Sequence, residues 1–285
     1  MCNNKVVCKE TNGYVPFEPK KQDAHDLKEE IRKAVGQLEV GDNEVLLASY
    51  AESSPKRKYD LENRLFYNIG SGAFSGIFCT YPKEAAFVAA SKPNNGQYIY
   101  KYEVVSEEEV EKKYLKGKTP IVKWQDIPIG PKQGKDDKPD RYYEAIRREA
   151  DSIKIMIDDP KPDHILDRAP FGIKIELTVP GSNKRLRPQP ASVMKPLLDG
   201  VICAFHGEDG EKTKEAVQKR FQESGLKDEE IEKFFKASKL NIFGNHNYLT
   251  KSNRWNPEDD RLQFGWIIVK REGKEYKMGG SIYKW

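Results

Sequence analysis

Apolar residues recur at helical spacing over Asp23–Leu38, where Leu27, Ile31, Val35 and Leu38 line one side of a run otherwise rich in Lys, Glu and Asp. That spacing predicts a surface helix with one buried stripe. A short apolar strand follows at Glu44–Tyr50, and Leu65, Phe66 and Tyr67 read as a strand entering a glycine-rich loop. Ile77–Thr80 reads as a strand, and Pro82 suits the first position of a small-residue helix through Ala85, Ala86, Val88 and Ala89. Asn95-Gly96 turns the chain into the alternating strand QYIYKYEVV, and EEEVEKKYLKGK reads as a solvated helix face. Helical spacing returns over Arg141–Met156. FGIKIELTVP then alternates Ile173, Ile175, Leu177 and Val179 with polar residues, as a half-buried strand does. A helix opened by Pro196 carries Leu198, Val201, Ile202 and Phe205 on one stripe. A helical pair spans Glu211–Ser238, Leu262–Ile268 predicts a strand buried on both faces, and KEYKMGGSIYKW a last strand.

These elements predict an α+β protein of two regions. An N-terminal β-rich module covers 1–130, GPKQGKDDKPD supplies a linker at 131–140, and an α/β module with the helical pair inserted covers 141–285. A chain of 285 residues that is 37% hydrophobic and 11% aromatic has enough apolar mass for a sizeable core. No window approaches the roughly 20 apolar residues of a membrane helix, and MCNNKVVCKETNGY lacks a signal-like apolar run. The expectation is a cytoplasmic protein without membrane attachment. Cys2, Cys8, Cys79 and Cys203 form no C-x-x-C pair, which predicts reduced thiols. Forty-nine basic against 45 acidic residues make a mixed surface, so any nucleic-acid preference has to come from local clustering.

Three clusters offer chemistry. Asp60, Glu62 and Asn63 precede a stretch that includes Gly70, which reads either as a carboxylate pair beside an anion cradle or as a turn with glycine at positive φ. Asp158, Asp159, Asp163, His164 and Asp167 read as a cation site or as a solvated loop. Lys184, Arg185, Arg187 and Lys195 form a basic stretch, with no acid between Leu177 and Leu198. Asp199 follows on the Pro196 helix. A carboxylate placed there can hold a divalent ion near a phosphodiester, or simply stabilise its own helix N-terminus.

The alternating strand, the basic loop, the helix start Lys195-Pro196-Leu197-Leu198-Asp199-Gly200, and the turn Asp259-Asp260 feeding a strand that ends in Lys270 together resemble the RusA-type Holliday-junction resolvases. The resemblance spans about Phe171 to Lys270. It implies that clustered carboxylates bind Mg²⁺ and activate water for phosphodiester hydrolysis. That family's helix start usually reads Asp-Leu-Asp-Asn, and here only the second acid is kept. The vacancy calls for a replacement such as Glu176, His206 or Glu258. On this reading the protein binds DNA or RNA, either as a Mg²⁺-dependent hydrolase or as a binding-only descendant of one, with Asp199, Asp259 and Asp260 as metal ligands and Asp199, Asp260 and Lys270 as the catalytic set. Lys195, Arg185, Arg187 and Arg254 contact the phosphates, and Trp255 stacks on a base or anchors its loop. Two other readings stand beside it. One is a non-enzymatic partner-binding protein using the Trp255 loop. The other rests on GIFCTYPKEAAFVAA and YIYKYEVV, which are similar to the strand–helix–strand unit of ADP-ribosyltransferases and imply transferase chemistry near Tyr67, Gly70 and Tyr81.

Overall fold

The computed structural model describes residues 5–53, 60–75, 83–90, 97–130, 138–156, 165–181, 190–250 and 254–285. It is an α+β fold organised on one nine-stranded sheet. Chain order runs β1 (Val6–Thr11), α1 (Gln22–Val35), β2 (Glu44–Glu52), a π-helical turn at Asn63–Tyr67, β3 (Lys83–Ala89), β4 (Tyr98–Ser106) and α2 (Glu107–Val110). The second half continues with β5 (Pro120–Pro128), α3 (Asp140–Arg148), β6 (Lys154–Ile155), β7 (Phe171–Val179), α4 (Pro190–Ala204), β8 (Gly207–Glu208), α5 (Glu211–Glu223), α6 (Asp228–Lys236), β9 (Asn245–His246), β10 (Leu262–Arg271) and β11 (Lys277–Lys284).

The strand order β1-β4-β2-β3-β10-β7-β11-β5-β6 reads as a palindrome up to its last, two-residue member. In the first half β2 is parallel to β3 and antiparallel to β4, and β4 carries β1 antiparallel. In the second, β7 is parallel to β10 and antiparallel to β11, and β11 carries β5 antiparallel. The registers agree as well. Val45 faces Glu84 and Val105, as Gly172 faces Phe264 and Tyr283. The two halves therefore share one strand arrangement, with the Asn63–Tyr67 turn in the first holding the place of α4 in the second, and they join where β3 meets β10 antiparallel, as an approximate two-fold relation requires. The sheet runs across the boundary expected at 131–140: β5 lies on the N-terminal side of it yet pairs with β11. The junction between repeats falls between α2 and β5. Residues 131–137 of the expected linker lie outside the described residues.

Period-two alternation sorts the side chains between two layers. Ile267, Val269, Ala85, Phe87, Leu46 and Ile175 join the large core under α1, α3, α4 and the Asn63–Tyr67 turn. Phe264, Trp266, Ile268, Ala86, Val45 and Leu47 face the other way, where Val110 and Leu115 cover part of the sheet. α3 packs closely on α4 because Gly200 has no side chain: a Cβ there would run into the Pro139 carbonyl and Tyr142. α5 and α6 form the expected helical pair, tied to α3 by Arg220 on Asp140 and by Phe221 and Phe234 against Tyr143.

Four expected elements differ. Pro196 does not open its helix: α4 starts at Pro190 and holds Pro196 in its interior, where the proline removes one backbone donor, so Asp199 stands well inside the helix and not at its N-terminus. The helix expected over Arg141–Met156 ends at Arg148, and Lys154–Ile155 pairs with β5 as β6. Ala85–Ala89 belongs to β3, not to a helix. Hydrogen-bonded between β2 and β10 at the centre of the sheet, this small-residue run is placed by its neighbours, which outweigh the helix propensity of alanine. Leu65–Tyr67 is helical, not a strand, because Leu61, Leu65, Phe66 and Ile69 are buried at helical intervals. Among the described residues no helix is long and apolar enough to cross a membrane.

Candidate metal centre

Three separate chain segments bring acids to one lysine. α4 carries Lys195 and, one turn on, Asp199; the Asn63–Tyr67 turn is entered through Asp60 and Glu62; and a 3₁₀ turn at Asp259–Arg261 precedes β10. Lys195 Nζ lies 2.6 Å from Asp259 Oδ2, 2.9 Å from Asp199 Oδ1, 3.3 Å from Glu62 Oε1 and 3.9 Å from Asp60 Oδ2. Glu62 is 1% and Asp259 4% exposed, whereas Lys195 and Asp60 keep about a third of their side chains in solvent. The cluster is thus a buried floor with a wet rim. Asn63 Nδ2 donates to Asp60 Oδ2 at 2.6 Å, while Glu62 Oε2 has no hydrogen-bond partner among the described residues.

Among the described residues, four carboxylates around one ammonium leave three negative charges uncompensated when all are ionised. Burial and the neighbouring Asp259 push the Asp60 carboxyl up to about 7. Burial and Asp259 also raise Glu62 well above the usual range, and burial raises Asp199 to about 6. Asp259 is the exception. Burial opposes its charge, but Lys195 and hydrogen bonds from its neighbours hold it below the ordinary value. For Lys195 burial favours the neutral amine, and the surrounding carboxylates overcome that and keep it charged. The group therefore takes up protons near neutral pH, or another cation in their place.

Three of these carboxylates could share one cation. Ligands on one octahedral Mg²⁺ lie at most about 4.2 Å apart, twice a bond of ~2.1 Å. Asp60, Glu62 and Asp259 each offer an oxygen within 4.8 Å of the others. Three ligands of one octahedral ion include at least two cis pairs about 3 Å apart, so the three oxygens would draw in around an ion that bound there.

Of the residues expected at the site, Asp199, Asp259 and Lys195 meet here. Asp260, beside Asp259, is half-buried. Lys270 is not brought in. It lies on the opposite face of the sheet, alternating with Val269, and pairs with Glu176 Oε2 at 2.7 Å. The other candidates for the missing acid are elsewhere too. His206 is fully buried with its ring nitrogens on the Gly244 and Pro257 carbonyls, and burial lowers it to about 3. Glu258 pairs with His246 and Arg261. Trp255 turns inward against Tyr143 and Tyr248, with the Arg220 guanidinium 5.3 Å from its ring centroid, and so anchors its loop; Arg254 beside it is exposed. Arg185, Arg187, Tyr81, Asp158, Asp159, Asp163 and His164 lie outside the described residues, and Asp167 is exposed. Asp60 and Glu62 are legible as a carboxylate pair in the sequence, but nothing local joins them to Asp199.

No family model, curated protein or solved structure matches the chain.

Proposed function

We propose that the protein is a divalent-metal-dependent phosphodiester hydrolase acting on nucleic acid, with Asp60, Glu62, Asp199 and Asp259 as the ligand set. The observation that carries the reading is the convergence of these four acids on Lys195 at a buried floor where one Glu62 oxygen is left without a partner. Burying carboxylates is unfavourable unless they are paired. Among the described residues one ammonium compensates one of them, so a site of this charge is explained by a cation that joins it. A hard divalent ion supplies charge for a phosphoryl oxygen and lowers the pKa of a bound water. Lys195, at the wet rim and held charged, is placed to face a phosphate oxygen. The role expected of the missing first acid then falls to Glu62 and Asp60, from the other repeat.

Calorimetric titration with Mn²⁺ and Mg²⁺ tests the reading, alongside cleavage of single- and double-stranded DNA and RNA. Wild-type protein should bind the ion and cleave, and Glu62→Gln and Asp199→Asn should lose both while remaining folded. Ion binding that survives both substitutions rules this site out.

A further inference from the structure

Most large apolar side chains of this protein are inside. Among the described residues five stand exposed, and three of them, Tyr14, Phe17 and Tyr67, occur in one neighbourhood at 45%, 48% and 50% exposure. Phe17 and Tyr67 stack face to face, with centroids 4.7 Å apart and planes 13° from parallel. The Arg64 guanidinium sits 3.8 Å from the Tyr14 ring centroid, and Lys28 Nζ 5.5 Å from that of Phe17 while it donates to the Phe17 carbonyl at 2.7 Å. Tyr14 also lies against Tyr98, with centroids 6.4 Å apart. An exposed aromatic cluster is normally covered by something.

Its position suggests by what. Tyr67 ends the helical stretch that Asp60 enters. Asp60 is half-buried at its start and Tyr67 is exposed at its end, so both reach solvent from one short segment. The acid end and the aromatic end are seven residues apart on it, on the order of 10 Å or less, since a π-helical turn rises less per residue than the ~1.5 Å of an α-helix. A strand whose phosphodiester lies at the metal centre would carry a neighbouring nucleotide over Phe17 and Tyr67. Cations beside aromatic faces are what such a nucleotide needs: a π-surface for the base and positive charge for the phosphate.

We infer that Tyr14, Phe17 and Tyr67, with Arg64 and Lys28, form a stacking platform for unpaired bases of single-stranded nucleic acid leading into the metal centre, an inference that rests on the nucleic-acid reading above. Base–aromatic stacking is sequence-tolerant, so the platform selects unpaired strands over duplex and not one sequence over another.

The test is fluorescence anisotropy with a labelled single-stranded oligonucleotide in EDTA, so that binding is read without metal and without cleavage. Phe17→Ala/Tyr67→Ala should weaken binding by between about fivefold and 150-fold, the range of one lost stack. It should leave duplex binding and the thermal melt unchanged, because both side chains are half in solvent. Phe17→Trp/Tyr67→Trp should keep the affinity, and Phe17→Leu/Tyr67→Leu should lose it. Equal affinity of wild type and the alanine variant overturns the inference. So does affinity retained with leucine, which marks an apolar protein-docking patch, and so does failure of wild type to bind single strands. Platform binding that persists when the metal centre proves empty of function removes the hydrolase reading alone. Cleavage with unchanged single-strand affinity removes the platform alone.

Discussion

Lys195→Met tests the electrostatic account of the metal centre. The substitution keeps an unbranched side chain of similar length in α4 and removes the one ammonium that, among the described residues, lies within 4 Å of Asp60, Glu62, Asp199 and Asp259. Removing one partner of a buried ion pair costs about 3–5 kcal/mol when the remaining charge stays buried. Lys195 keeps 28% of its side chain exposed, so the lower half of that range applies, about 3–4 kcal/mol. At roughly 2–4 °C per kcal/mol for a chain of this size, the melting temperature falls by about 6–16 °C at about pH 8 in EDTA. The loss has a signature. The remaining carboxylates can be neutralised by protons, so at about pH 5.5 most of the deficit should disappear. Millimolar Mn²⁺ or Mg²⁺ at pH 8 should restore stability too, and should do so more in the variant than in wild type, since ion and ammonium share the same acids. Differential scanning fluorimetry across the pH series, with and without metal, reads all three. A deficit of the same size at both pH values and indifferent to metal would instead make Lys195 a packing residue with no electrostatic role at the centre.

Further outcomes follow from other parts of the structure. Asp60 and Asp199 have carboxyls raised to about 7 and about 6, so between their unfolded values near 4 and these folded values the native state binds more protons than the unfolded one. Their contribution to stability therefore declines as pH rises through that window, and denaturant midpoints in EDTA should drop from about pH 5 to pH 8, with Asp60→Asn flattening the profile. A saturating divalent ion at about 100 times its Kd should add about 2.7 kcal/mol to wild type and nothing to Glu62→Gln, as measured by melting. Lys270→Ala, on the far face of the sheet, should leave ion binding and cleavage unchanged in the same titrations. Gly200→Ala should destabilise by about 1–3 kcal/mol in urea unfolding, because the new methyl meets the Pro139 carbonyl and outweighs the gain in helix propensity.

Much of the secondary structure is legible locally, since period-two and period-3.6 patterns record which face of an element meets the core. β7, β10 and α1 declare themselves in this way, and Asp199 and Asp259 stand out as acids next to apolar runs. β3 does not: KEAAFVA satisfies helix and strand alike, and only pairing with β2 and β10 decides it. The repeat leaves one trace in the chain, where RLFYNIGSGAF at Arg64–Phe74 echoes KPLLDGVICAF at Lys195–Phe205. The echo is faint because the two stretches share positions of burial more than residue types.

What the amino-acid order determines by itself is which residues are chemically capable: a carboxylate pair at Asp60 and Glu62, a lysine and an acid one helical turn apart at Lys195 and Asp199, and the acids before β10. Which of them act together was decided by the tertiary structure. Asp60 and Lys195 are separated by more than a hundred residues, and they meet because the two repeats join at β3 and β10 and set the Asn63–Tyr67 turn against α4 on one face of the sheet. Lys270 is close to Asp260 in sequence yet lies on the other face, since each step along a strand reverses the side chain's direction and no local pattern states where the neighbouring helix will lie.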